Sequence, residues 1–359
     1  MTKITSASEE KAPAAGKESY MNRLSSIARL ASGWLMLKVP LPFSLKWVNG
    51  YLLPEQSGWT LIDPGLRTPE TEAFWESALQ EAGIAWPQIE RIVLTHHHPD
   101  HYGLAGWMQE KTGVPVYLSE TGRRCALWMW GENETSSGEL IAAFAAHGMP
   151  PERMDGMKAH LENIIGQVRP HPLDVRPLPE PGGTFAMGGV VWTVIGGEGH
   201  APGHVSFYSR ERRRLICGDQ VLPDITPNIG WMPGADPDPL GSYLASLRSM
   251  RELEADEIYP GHREPFTGLT GRIDEILVHH DRRLDRMAEL LAESGPLTAY
   301  DLCLLLFRAK VTEDAHQLRF AMAETIAHLE RLVLTGRAVK GEESGVWRYA
   351  VREGAGGAG

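Results

Sequence analysis

Within six consecutive positions this 359-residue chain places four side chains that bind divalent metals: His96, His98, Asp100 and His101. They follow directly on the apolar run Ile92-Val93-Leu94. In an extended segment residues i and i+2 point to the same side, so His96 and His98 converge on one ion just past the end of that strand. Pro99 breaks the ladder and turns the chain, which sends Asp100 and His101 toward a second position nearby. One short loop can thereby feed two metals. Imidazole with a single carboxylate suits zinc best, and iron and manganese accept the same donors.

Three later residues extend the set. His200 lies in Gly199-His200-Ala201-Pro202-Gly203-His204, Asp219 follows Leu215-Ile216-Cys217-Gly218, and His262 closes Tyr259-Pro260-Gly261-His262. Each stands at a strand end or a glycine turn, where a side chain can face a shared edge. Taken singly, such an aspartate reads as a cap and such a histidine as structural; beside the opening loop they complete a two-metal shell. Cys217 falls inside its strand and reads as core.

The elements that must hold these donors follow from periodicity. Strands over 33–39, 48–53 and 59–65 suggest an antiparallel meander, the last turning at Pro64-Gly65. A helix over 69–82, the strand at 92, a helix over 103–112 and a strand over 114–118 give the alternation of a layered α/β domain. Between 119 and 182 the pattern becomes helical, at 123–130, 139–147 and 152–165, and closes with a proline-rich connector over 170–181. Such an insertion covers a pocket or decorates the surface. Strands resume at 189–195, 205–208, 215–219 and 257–262, and a long amphipathic helix spans 272–294. Residues 295–352 read as a small unit of two helices, 298–307 and 315–335, and a hairpin over 336–351 turning near Ser344, the order of a winged helix. Residues 1–20 are expected to be a disordered leader and 353–359 a flexible Gly/Ala tail, leaving 21–294 as the main domain.

Composition narrows the function classes. A formal net charge of −11 argues against a surface that coats nucleic acid, although a local basic groove stays open. From Gly295 to Tyr349 there are seven acidic and seven basic residues, so the C-terminal unit lacks the basic excess of a DNA reader and is expected to shape the pocket or a homodimer contact. Cys125, Cys217 and Cys303 form no CxxC pair and read as reduced thiols. With no signal-peptide core and no apolar run of about 18 residues, the expectation is a cytoplasmic protein without a membrane anchor.

The segments His96-x-His98-x-Asp100-His101, His200, Asp219 and His262, preceded by Asp63 at a strand end, resemble the signature motifs of the metallo-β-lactamase superfamily over about residues 21–290. The stretch Cys217 to Pro223, with Asp238-Pro239-Leu240 and Tyr243-Leu244, is similar to the branch carrying a C-terminal winged-helix-like module. The resemblance implies an αββα sandwich with the metals at one edge of two packed sheets. It implies one site from His96, His98 and His200 and another from Asp100, His101 and His262, with Asp219 bridging. Asp63 would support the shell by hydrogen bonding, and His204 would lie near the pocket without ligating.

The chemistry expected of two zinc ions is attack by a metal-bound hydroxide, with Asp100 orienting the water. The substrate expected is a small ester, thioester or lactone, in a pocket lined by Trp128, Trp231 and Met232. A glutathione-thioester role, an acyl-homoserine lactonase, which would present a tyrosine soon after Asp219, and flavodiiron redox chemistry, which would place a glutamate at His98, all fit less well. The enzymatic alternative is an endoribonuclease or phosphodiesterase, since winged-helix-bearing relatives include an RNA-cleaving member. The non-enzymatic alternative is a metal-stabilised binding protein, against which all seven ligands stand.

Overall fold

Period-two alternation in the N-terminal strands builds the first sheet. The computed structural model describes residues 26–132 and 135–352, so the leader and tail expected at the two ends lie outside the described residues. Strands β1 (Ile27–Arg29), β2 (Leu35–Pro40), β3 (Trp47–Pro54) and β4 (Trp59–Ile62) pair antiparallel in chain order, the expected meander. Helix α1 (Pro69–Ala82) then crosses to β5 (Ile89–Val93), parallel to β4. Helices α2 (Pro99–Tyr102) and α3 (Ala105–Thr112) lead to β6 (Val116–Leu118), parallel to β5. After α4 (Glu120–Trp130), α5 (Ser136–Ala146) and α6 (Met154–Gly166) the chain adds β7 (Val175–Pro177) as the parallel edge strand.

The second sheet comprises β8 (Thr184–Met187), β9 (Val190–Gly197), β10 (His204–Ser209), β11 (Arg214–Gly218) and β12 (Glu257–Pro260), in the order β12-β11-β10-β9-β8. Only β11 and β12 run parallel, joined across α7 (Pro239–Met250). Helices α8 (Leu269–Ser294), α9 (Ala299–Phe307) and α10 (Ala315–Leu334) and the hairpin β13 (Ala338–Glu343) and β14 (Val346–Val351) complete the described chain.

Side-chain alternation sorts the cores. Met36, Tyr51, Leu53, Ile62 and Val93 of the first sheet meet Trp192, Val194, Phe207 and Ile216 of the second, and this apolar layer joins the sheets. The opposite faces, Leu35, Leu37 and Val39 on one sheet and Leu215 and Cys217 on the other, pack against helices. The result is helix, sheet, sheet, helix. Among the described residues no helix is long and apolar enough to cross a membrane.

Four local differences from the sequence reading have physical causes. The helix expected over 103–112 is α3, and a separate helical turn, α2, precedes it from Pro99, because proline is preorganised for a first helical position; Asp100 and His101 therefore sit on a helical turn. The connector over 170–181 contains β7, whose Pro177 is tolerated at a sheet edge. Short strands β1 and β8 carry too few residues to display a period. The C-terminal residues share one core with the second sheet: Leu302, Leu318, Met322 and Ile326 belong to the same buried cluster as Leu215, Tyr243 and Leu247. The hairpin turn falls where expected, on Ser344 (φ 53°) and Gly345 (φ 82°), the paired positive φ of a two-residue type I′ turn.

Candidate metal centre

Most of the donors stand just past the end of a strand. His96 and His98 follow β5, Asp219 follows β11, His262 follows β12, and His200 lies between β9 and β10. A strand fixes the last backbone position rigidly, and the turn after it frees the side chain to face the sheet edge. Three groups of donor atoms, each within 4.8 Å of one another, result: His96, His98 and His200; His96, His101 and Asp219; Asp100, His101 and His262. The structure thus brings together all seven expected donors. Asp219 lies between the outer groups, its carboxylate oxygens 3.4 Å from His101 Nε2, 3.4 Å from His262 Nε2 and 3.7 Å from His200 Nε2. Asp100 Oδ2 lies 3.1 Å from His262 Nε2 and 3.8 Å from His101 Nε2.

Hydrogen bonds behind the cluster orient the rings. His200 Nδ1 donates to the Asn228 carbonyl and His262 Nδ1 to the Trp47 carbonyl, both at 2.9 Å. His101 Nδ1 is 2.9 Å from Asp63 Oδ2. Thr95 Oγ1 donates to the same carboxylate at 2.7 Å and lies 3.0 Å from His96 Nδ1. A carbonyl only accepts, so the bonds of His200 and His262 put a proton on Nδ1 and point Nε2 at the cluster, the nitrogen a metal would take. Asp63 and His204 join none of the three donor groups; the Asp219 backbone N–H donates to His204 Nε2 at 3.2 Å.

The donors fit divalent cations. His101 Nε2, His262 Nε2 and Asp219 Oδ1 are buried without a hydrogen-bond partner, an arrangement costing about 1–3 kcal/mol per group unless something occupies the space between them. Gly261 supplies room: a Cβ there would lie 2.1 Å from Asp219 Oδ1 and 2.7 Å from His101 Cε1. Electrostatics agree. Burial lowers His262, but the Asp219 and Asp100 carboxylates carry it up to about 10. Asp219, raised by burial, is held well below the usual carboxylate range by His262 and His101. The acids thus draw positive charge into a buried pocket. Burial keeps His96 and His98 neutral, the form that ligates.

Beside His200 opens a cavity of about 400 Å³ lined by Trp128, Cys125, Met232, Glu198 and Gly199 among others. Trp231, expected with them, is absent from this lining. Its indole packs 5.6 Å from the His147 ring and its backbone N–H donates to the Ala323 carbonyl at 3.0 Å. Neighbours on a non-helical segment face different ways, so Met232 reaches the cavity and Trp231 does not, although both pack against the core. Sequence reasoning did not single out the Asn228 and Trp47 carbonyls as supports, since hydrogen bonding through backbone atoms leaves little mark on residue type, and Thr95 acts through an Oγ1 whose partner Asp63 lies 32 residues away.

Residues 48–262 match the Metallo-beta-lactamase superfamily and residues 284–352 the Metallo-beta-lactamase-like, C-terminal domain. The chain is 28% identical over 311 residues to the probable metallo-hydrolase YqjP of Bacillus subtilis, covering 83% of this chain and 91% of that one. It is 25% identical over 251 residues to the atrochrysone carboxyl ACP thioesterase of Aspergillus fumigatus, covering 70% of this chain and 46% of the thioesterase. In fold it is similar to the crystal structure of a metallo-beta-lactamase family protein from Thermus thermophilus, with a TM-score of 0.78 and 35% identity over 89% of this chain and 99% of that one.

Proposed function

Because this chain belongs to the metallo-β-lactamase superfamily and is a metallo-hydrolase, we propose that it holds two zinc ions and hydrolyses a small ester, thioester or lactone. The observation that carries the reading is the sharing of donors: three groups overlap at His96 and His101, with Asp219 reaching toward both outer groups. His96, His98 and His200 would hold one ion and Asp100, His101 and His262 the other, with Asp219 between. Two such cations supply Lewis acidity, lowering the pKa of water toward neutrality and polarising the acyl oxygen.

The chain's own groups do the positioning. Asp100 is the more open of the two acids in the cluster, its side chain 19% exposed against 8% for Asp219, so its carboxylate can accept a hydrogen bond from the attacking water. No thiol competes as nucleophile: burial pushes the Cys217 and Cys125 thiols up, away from the reactive thiolate. Trp128 and Met232 offer apolar surface beside His200 for the acyl group and exclude water from it. The relative described as an acyl-carrier-protein thioesterase supports placing thioesters among the substrates. Three free cysteines fit a reducing compartment, and we place the chain in the cytoplasm.

The test is metal content of the purified protein, paired with zinc-restored hydrolysis of acyl thioesters, lactones, bis-p-nitrophenyl phosphate and a short RNA. About two metals per chain with thioester or ester turnover is the expected result. RNA cleavage alone would replace it with the nuclease alternative, and a protein that takes up no metal would overturn it.

A further inference from the structure

The C-terminal helix α10 carries basic groups that the metal centre does not use. Arg319 Nε, His316 Nδ1 and His160 Nε2 are all buried without a hydrogen-bond partner, and Arg319 forms no ion pair among the described residues. The three belong together. The His316 ring lies 5.2 Å from the His160 ring of α6 and stacks at 4.1 Å on Phe43, in the β2–β3 loop. The Arg319 guanidinium lies 4.2 Å from the Phe320 ring centroid, and that ring also contacts His316 at 4.8 Å. The cluster adjoins the metal centre: the carbonyl of Phe320, next to Arg319, accepts from the Asn228 side chain at 3.2 Å, and the Asn228 carbonyl in turn holds His200; the Asp100 carboxylate also offsets part of the desolvation of Arg319.

A guanidinium whose Nε is buried with its donor unmet is costly, and a ligand bearing acceptor oxygens would relieve that cost. Its planar fork matches an oxyanion with two acceptor oxygens, a carboxylate or a phosphate. An imidazole with no fixed partner can turn either tautomer's N–H toward such a group. Phe43 and Phe320 keep the space about it apolar, which strengthens a charge-assisted bond.

We propose that His160, His316 and Arg319 form an anion subsite, by which α10 selects substrates bearing a carboxylate or phosphate at a distance from the bond that is cut. The assignment rests on the hydrolase reading above, in that the anion belongs to the substrate. It gives the C-terminal region a part in specificity that its charge balance alone does not display.

The experiment compares wild-type protein, as purified, with Arg319→Met and Arg319→Lys. The glutaryl and pentanoyl thioesters of N-acetylcysteamine differ by a terminal carboxylate. The ratio of kcat/KM, glutaryl over pentanoyl, is expected to fall at least tenfold in Arg319→Met, with Arg319→Lys in between. The Arg319→Met melting temperature is expected to hold or rise, since an unpaired, partly buried charge is removed; a drop in melting temperature with an unchanged ratio would mark a structural residue and overturn the subsite. Calorimetric titration with glutarate and with inorganic phosphate separates this proposal from the hydrolase reading. If neither thioester turns over, binding of either anion that Arg319→Met loses still supports the subsite and tells carboxylate from phosphate. Equal binding by wild type and variant, or none by either, overturns it.

Discussion

Gly261 is the residue where the smallest change should do the most. Its added Cβ would occupy the space beside Asp219 Oδ1 and His101 Cε1, and neither atom can retreat from a buried cluster. Gly261→Ala is expected to weaken metal binding by at least tenfold while the fold persists, read by competition with a fluorescent zinc chelator; unchanged affinity would mean that the cluster relaxes freely. Asp63 acts one step further back, accepting from Thr95 and contacting His101. Asp63→Ala should cost roughly 10–100-fold in metal affinity by the same assay, the usual size for a group that orients a ligand. Trp128 and Trp231 make a contrasting pair. Trp128→Ala should lower kcat/KM for apolar acyl substrates by about tenfold or more, the cost of one large apolar contact. Trp231→Ala should instead lower the melting temperature, because its indole packs beside His147 against the core shared with the C-terminal helices.

At the scale of elements, the joint between α8 and α10 holds a pH-dependent contact. His328 Nδ1 donates to the Glu324 carbonyl at 2.8 Å, which leaves its Nε2 to accept from His280 Nδ1 at 3.0 Å. Both rings are fully buried and so stay neutral, desolvation lowering His280 to about 2 and His328 to about 3 from an ordinary 6.5. Arg283, which pairs with Glu324, and His279 add positive charge nearby and push the same way. The sign follows. Below pH 6.5 the unfolded chain takes up protons that the folded chain refuses, so stability falls as pH drops toward about 3. Each ring should cost on the order of 2 kcal/mol at pH 5. Urea midpoints at pH 7.5 and 5 should therefore differ, and His280→Phe with His328→Leu should flatten the difference. An equal slope in the variant would show that these rings already titrate in the folded state.

For the whole molecule, the C-terminal region cannot be treated as an appendage. Leu302, Leu318, Met322, Ile326, Leu329 and Leu332 are buried in the core that also holds the helical face of the second sheet. At about 2 kcal/mol each, their loss would remove on the order of 10 kcal/mol, comparable with the total stability of an ordinary domain. Asn228 adds a polar tie: its carbonyl holds His200, and its side chain donates to the Phe320 carbonyl at 3.2 Å and to Glu324 at 2.9 Å. Truncation after Ser294 is thus expected to yield insoluble protein, with the near-ultraviolet circular dichroism of any soluble fraction lost. A truncated chain that folds and keeps its metals would show the shared core to be dispensable.

The clustered residues were legible because histidine is scarce, 14 residues in 359, and five of those stand with two aspartates at strand ends and turns. Asp100 and His101 were legible as a pair, although not their helical turn, since Pro99 is compatible with either a turn or a first helical residue. The meander and the C-terminal hairpin were legible because strand alternation and a Ser-Gly turn are local properties, while the type I′ geometry of that turn came from the structure. What only the tertiary structure decided is which groups far apart in the chain meet: Asp219 between two sets of histidines, Met232 at the cavity and Trp231 against His147, and His316 of α10 against His160 and Phe43. Those meetings depend on how two sheets and their helices pack, and packing is set by long-range burial that no stretch of sequence records by itself.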